Sequence, residues 1–328
     1  MNIAIVKEVN DKEIVLPVLA SKEYLKALKT LDYGYIYDAS KHIVLPFYLT
    51  TKLVFRIASF TTGVINAQTD REEELFLESA FKYLHDRYKI DFILPNAVTA
   101  LFNVAPKNVD RCRFGSYILD LKKSEDELFL GFHSKHRNVV RKAIKDGCTI
   151  HVGIDCLEDA ISLVNTTLSR QGVKGVLETY YKQLCLDIKS NVLPGVVYSP
   201  SGQLDGAAIV LWKEHSCAYY VYGGSSSSPY TGAMNFLQWE IIKQLKSLGV
   251  FEYDFVGARI SPERNSKFWG IQMFKERFGG ELKEGFLLRV VFSKYKYFLF
   301  NLLLKLNYFI RGIKYKGDIV SQENRRGL

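Results

Sequence analysis

Cysteine is scarce and scattered. Cys112, Cys148, Cys156, Cys185 and Cys217 lie far apart, their number is odd, and no pair has CxxC spacing. This argues against a disulfide framework or a zinc knuckle and leaves reduced, mostly buried thiols as the expectation. The six histidines include no HExxH and no His/Cys/Asp cluster at ligand spacing, so no metal is expected. Also missing are GxxxxGK(S/T), a strand-linked GxGxxG and GxSxG, which argues against P-loop enzymes, Rossmann dehydrogenases and serine hydrolases. No apolar run approaches the ~18 residues of a membrane span. The start, MNIAIVKEVNDKE, turns charged without an apolar h-region, so no secretory signal is expected.

What is present is ordinary globular composition: 48% hydrophobic, 13% aromatic and 24% charged residues. The 328 residues exceed the roughly 250–300 at which single cores tend to split, so two domains are expected. Forty-four Lys plus Arg against 35 Asp plus Glu give a formal charge of +9. That excess suits an anionic partner (phosphates of a small molecule, a nucleic acid or a lipid surface), or serves solubility alone.

The first third reads as mixed α/β. Strands are expected at Tyr33–Tyr37, Ile43–Leu49, Leu53–Ser59 and Asp91–Leu94, and a helix from Asp70, its capping residue, to Tyr88. A second unit opens near Phe114 with the strand Tyr117–Leu121, then a capping box at Ser124 and Glu127. A basic helix Lys135–Asp146 ends at Gly147, and Thr149–Gly153 is a strand. Further helices are expected at Leu157–Arg170, Leu177–Lys189 and Gly232–Leu248. Strands are expected at Val192–Tyr198, Ala207–Trp212, Ala218–Tyr222, Phe251–Val256 and Phe286–Phe292. Antiparallel strands wrapped by helices make this α+β and not a doubly wound parallel sheet.

Three stretches carry candidate chemistry. In AYYVYGGSSSSPYTGAMNFLQWEIIKQLKSLG a strand enters a Gly/Ser-rich loop and then an amphipathic helix, whose free N–H groups make an anion site; a plain solvent loop before a core helix is the alternative. In GFHSKHRNVVRKAIK, Arg137, Arg141 and Lys145 form one helical stripe of like charges. Arg137, Arg141 and Lys142 are its candidates for a substrate phosphate, against the alternative of a solvated helix face. In FEYDFVGARISPERNSKFWGIQMFKERFGGE, Asp254 sits on an otherwise apolar strand and needs a partner, which suggests function, or it caps a neighbouring backbone. There Phe274 and Phe278 anchor a short helix that Gly279 and Gly280 end.

Taken together, YILDL, SKHRNVVRKAIKDG, YVYGGSSSSPY, LQWEIIKQLKSLGVFEYDFVGA and FKERFGG resemble the FemAB-like branch of the GNAT (acyl-CoA N-acyltransferase) superfamily, the lipid II:glycine glycyltransferase type, over about Phe114–Glu281. The resemblance implies two GNAT-like subdomains, each a mixed or antiparallel twisted sheet flanked by helices. These are expected at 1–112 and 113–292, with a basic amphipathic tail at 293–328. It also implies transfer of an acyl or aminoacyl group, from acyl-CoA or aminoacyl-tRNA, to an amine. No cofactor would be tightly bound. The acceptor would be a nucleotide- or lipid-linked amino sugar or a peptidoglycan precursor, tRNA a candidate partner and the cytoplasm the expected location. By the same resemblance Gly223, Gly224, Ser225, Tyr230, Thr231, Gly232, Ala233 and Asn235 face the donor or the acceptor phosphates. The stretch Ser228-Pro-Tyr-Thr-Gly-Ala departs from the acetyl-CoA signature Q/R-x-x-G-x-G/A by lacking its leading Gln or Arg.

The chemistry of such a transfer assigns roles. A strand N–H near Val221 to Gly223, or the Lys275 ammonium, would donate to the tetrahedral oxyanion. Tyr222 or Tyr230 would protonate the leaving group, and Asp254 or a water beside it would take the proton of the attacking amine. The tail KYKYFLFNLLLKLNYFIRGIKYK has six basic residues and no acid. It reads as an interfacial helix touching the inner leaflet of a membrane, or as a core or dimer helix. A different class also stays open: a non-catalytic GNAT-fold protein binding nucleic acid or an anionic membrane through its basic stripe.

Overall fold

The computed structural model describes residues 2–170, 181–312 and 314–326, which form two compact units. Unit 1 comprises Met1–Gly115, Gly257–Ser261 and Lys283–Leu328; unit 2 comprises Ser116–Val256 and Pro262–Leu282. The basic tail therefore belongs to unit 1, which a linear division at 112 and 292 misses.

In unit 1, β1 (Ile3–Val6) and the short α1 (Lys22–Ala27) precede an antiparallel meander of β2 (Asp32–Asp38), β3 (Ile43–Lys52) and β4 (Phe55–Phe60). Helix α2 (Asp70–Tyr88) then crosses to β5 (Phe92–Ile93), parallel to β4. Thr69, not Asp70, caps α2: its hydroxyl accepts the Glu72 N–H at 3.2 Å, while Asp70 lies in the first turn with Glu72 and Glu73. Phe76, Leu77, Ala80, Phe81 and Leu84 form the buried stripe of this helix. Glu73 is buried among them. Asn103 bonds its carboxylate through the backbone N–H at 2.9 Å and the side-chain amide at 2.6 Å.

Unit 2 takes over within β6 (Asp110–Asp120), followed by α3 (Glu125–Gly131), α4 (Ser134–Lys145), β7 (Thr149–Val152), α5 (Leu157–Arg170) and α6 (Lys182–Asp187). The capping box of Ser124 and Glu127 is formed. The expected helix at Leu177–Lys189 begins outside the described residues. Next, β8 (Val192–Tyr198), β9 (Leu204–Leu211) and β10 (Cys217–Ser225) run antiparallel. Helix α7 (Ala233–Ser247) crosses to β11 (Glu252–Asp254), parallel to β10 and antiparallel to β6. The chain visits unit 1 as β12 (Ala258–Arg259), beside Phe114–Gly115, and returns as α8 (Lys267–Glu276). Then β13 (Glu281–Val291), α9 (Lys294–Ile310) and α10 (Ile319–Asn324) complete unit 1.

The two units share a plan: three antiparallel strands, a crossover helix, a parallel strand, and a last antiparallel strand (β13 on β5, β6 on β11). Leu237, Ile241, Ile242 and Leu245 of α7 are fully buried, so the amphipathic pattern read from this stretch is its core side. Of the five cysteines, four are buried and none is disulfide-bonded.

Candidate active site

Strands β10 and β11 are parallel neighbours for only three residue pairs, Cys217–Glu252 to Tyr219–Asp254. Beyond Asp254, β11 ends while β10 continues to Ser225, so the strands part at their carboxyl ends, the place where sheets of this kind open a ligand crevice. A bulge sharpens the parting: Tyr220 opposes Val210 and Tyr222 opposes Ile209, leaving Val221 as the extra residue. The bulge turns Tyr222 onto the sheet face that carries Tyr219 and Asp254. Tyr222 is half-buried with its ring 4.6 Å from that of Tyr181, and burial raises its pKa.

Loop 226–232 follows, and it is anchored. Asp205 is 2% exposed; its carboxylate accepts the Tyr230 N–H at 2.7 Å and the Ser226 hydroxyl at 3.0 Å, and its carbonyl accepts the Ser226 N–H at 2.9 Å. The Thr167 hydroxyl on α5 bridges both backbone polar atoms of Ser225 at 3.0 Å, and Arg170 also donates to the Ser225 carbonyl. A Cβ on Gly224 would lie 2.8 Å from Val164 Cα, so this glycine lets α5 approach β10. Gly232 has φ +87° and starts α7; a Cβ there would lie 2.3 Å from the Val139 carbonyl oxygen of α4. Ala233 is buried behind it, Asn235 half-buried and Thr231 exposed. The Gly/Ser bend and the basic helix thus meet.

At the end of β11, Asp254 Oδ1 accepts the Ser116 hydroxyl and, at 2.6 Å, the Val256 N–H. Lys275 of α8 donates to the Val256 carbonyl. All three side chains are buried (Ser116, Asp254 and Lys275 at 2, 8 and 9% exposure). Burial pushes the Lys275 pKa down to about 8 against the pull of the Asp254 charge. Val256 has φ +51°, an uncommon conformation for a β-branched residue and one found where function holds strain.

The stripe on α4 divides. Arg137 donates to the carbonyls of Leu130, at 2.8 Å, and Phe132, so it closes the end of α3. Arg141 stacks on Phe129 of α3, 5.3 Å from the ring centre. Neither contact is with loop 226–232, because their spacing sets them on the α3 side of α4. Lys142 does reach that loop, 3.3 Å from the Tyr230 hydroxyl, but pairs with Asp146. Tyr230 donates to the same carboxylate at 2.5 Å, so its hydroxyl hydrogen is already engaged. His136, behind this face, is buried and donates to the Phe274 carbonyl at 3.1 Å; burial holds it neutral, its pKa lowered to about 4.

A family profile described as "Acetyltransferase (GNAT) domain" matches residues 133–264, from the start of α4 past the end of β11. Residues 133–264 therefore carry a GNAT-like domain. Over 99 residues it is 28% identical to the lipid II:glycine glycyltransferase of Staphylococcus epidermidis, a match that covers 30% of this chain and 24% of that protein. In fold it is similar to the crystal structure of FemX, with a TM-score of 0.63 at 15% identity over 91% of this chain and 99% of that one. It is also similar to L-PGS from Bacillus licheniformis, with a TM-score of 0.53 at 14% identity over 86% and 91%. The GNAT match thus contains both the anchored loop and the parting strands.

Asp205, Ser116 and Thr167 escaped the sequence reading. Asp205 offered the same signal as Asp254, a carboxylate opening an apolar strand, LDGAAIVL. Asp205→Ala would leave the Tyr230 N–H and the Ser226 hydroxyl without their acceptor. We expect a loss of about 2–4 kcal/mol in urea unfolding, from several buried hydrogen bonds at once. Stability within about 0.5 kcal/mol of the parent would show that the loop does not depend on Asp205.

Proposed function

We propose that this chain transfers an acyl or aminoacyl group from an activated donor to an amine of a cell-envelope precursor. The observation that carries the reading is the parting of β10 and β11, with an anchored Gly/Ser loop and helix start on one side and Asp254 with Lys275 on the other. A carbonyl placed at that parting has the Lys275 ammonium as a donor for the developing oxyanion. Asp254, or a water beside it, accepts the proton of the attacking amine. Tyr222, kept protonated by burial, is the better of the two tyrosines as acid for the leaving group. The backbone of 223–233, the side chain of Asn235 and Lys142 form the donor side. Arg137 and Arg141 keep a place here only as long-range positive charge, since both already hold α3.

The donor is acyl-CoA or aminoacyl-tRNA, and no cofactor stays tightly bound. The acceptor is a nucleotide- or lipid-linked amino sugar or peptidoglycan precursor; the activity named for the S. epidermidis relative favours the lipid-linked kind. The reading as a non-catalytic binder leaned on the α4 stripe, and the engagement of Arg137 and Arg141 weakens it. The test is mass spectrometry of acceptors after incubation with acyl-CoAs or aminoacyl-tRNAs. One donor class should add its acyl mass to an acceptor amine. No addition from either class, onto UDP-linked or lipid-linked acceptors, would overturn the proposal.

A further inference from the structure

Helix α9 has two apolar faces, and only one is covered. Phe300 and Leu304 are buried against Phe55, Ile57, Phe92 and Leu94. Tyr295, Phe298, Leu302, Leu306 and Phe309 follow one another at i, i+3, i+7, i+11 and i+14, and are 76, 67, 50, 53 and 80% exposed. Large apolar side chains aligned in one exposed stripe mark an interaction surface, whereas scattered ones need no explanation. The sequence alone did not show that Phe300 and Leu304 are what the core takes.

The rim decides what the stripe meets. Residues 294–316 contain six Lys or Arg and no Asp or Glu. Among the described residues only Lys296 of these has an ion pair, with Asp91 at 2.5 Å. Lys294, Lys305, Arg311, Lys314 and Lys316 keep their charge unneutralised around an apolar strip with aromatic ends. Two copies meeting through this face would set like charges against each other, because a two-fold contact repeats the same patch on both sides. A bilayer surface of anionic phospholipid matches both parts, acyl chains for the stripe and phosphates for the rim. Among the described residues no helix is long and apolar enough to cross a membrane, so the contact is one of lying on the surface.

We propose that the exposed face of α9 docks unit 1 onto anionic phospholipid. This adds a partner to the function proposed above. It stands on unit 1 alone, and its test reads no turnover, so either proposal can fail without the other. The experiment is sedimentation of the full chain with vesicles of phosphatidylglycerol and phosphatidylcholine, or of phosphatidylcholine alone. Removing the tail would uncover Phe55 and Phe92, so outward substitutions are used: Phe298→Ser, Leu302→Ser and Phe309→Ser together. The parent should bind the anionic vesicles at least tenfold better than the neutral ones and lose that preference at high salt. The triple variant should bind at least tenfold more weakly with an unchanged melting temperature. Equal binding of parent and variant would overturn the proposal. So would absence of binding together with a concentration-dependent dimer that the variant abolishes, which would assign the face to a second copy.

Discussion

Lys275→Met is expected to lower turnover by about 10²–10³-fold, the scale of losing one preorganised donor to an oxyanion, while making the protein more stable at pH 7. The two effects have one origin. An ammonium at 9% exposure is desolvated, and the displacement of its pKa from 10.5 to about 8 corresponds to roughly 3 kcal/mol against the charged folded state. Methionine fills similar space without the charge. It forfeits the bond to the Val256 carbonyl, about 1 kcal/mol, so the net gain is about 2 kcal/mol. Asp254 keeps its bonds from Ser116 and from the Val256 N–H in the variant.

The pH dependence has a definite sign. Between about 8 and 10.5 the unfolded chain still holds the Lys275 proton and the folded one has released it. The stability of the parent relative to the variant therefore rises across that window and is lowest below about pH 8. Activity runs the other way, because the cation is present only below about pH 8. Urea unfolding of both proteins at pH 7 and pH 10, beside turnover at pH 7, checks this. Undiminished turnover would remove Lys275 from the mechanism. A variant less stable than the parent at pH 7 would contradict the account of its burial.

Gly232→Ala should cost about 3 kcal/mol, or some 6–12 °C in melting temperature. Forcing a Cβ onto φ +87° contributes about 1 kcal/mol. The rest comes from the 2.3 Å approach of that Cβ to the Val139 carbonyl oxygen, which the structure relieves only by moving α4 away from the start of α7. Gly147→Ala separates the two contributions: φ is +91° there and nothing stands within 4 Å of the added carbon, so only the backbone cost of about 1 kcal/mol is expected. Equal melting temperatures for the two variants would show that the approach of α4 to Gly232 is not tight. If α4 does move, the contact of Lys142 with Tyr230 is lost too, and the KM for the donor should rise by more than kcat falls.

Periodic segments were the legible ones. Leu157–Arg170 and Val192–Tyr198 have the bounds read from their patterns, because a buried helix stripe and a buried strand each write their period into the chain. Helix α8 was glimpsed only at its end: Lys275 is its one buried residue, so Lys267–Ile271 carries no apolar stripe. The first half of β6 was missed although Cys112 and Phe114 alternate with exposed Arg111 and Arg113, a period-two signal masked by charge. In the site, spacing showed that Arg137 and Arg141 share a face of α4 but not which neighbour that face meets. Asp254 was singled out by asking what a charge among apolar residues is for; the same question put to Asp205 would have pointed to the loop's anchor.

The return of residues 283–328 to unit 1 has a consequence for synthesis on the ribosome. Strand β5, only two residues long, gains its antiparallel neighbour β13 from a part of the chain made after all of unit 2. Until then the nascent first unit carries a bare strand edge, and Phe55 and Phe92 still lack the cover of Phe300. The interval while unit 2 emerges is therefore when a newly made chain is most exposed to mispairing with its neighbours, and slow translation between codons 116 and 282 would prolong that hazard.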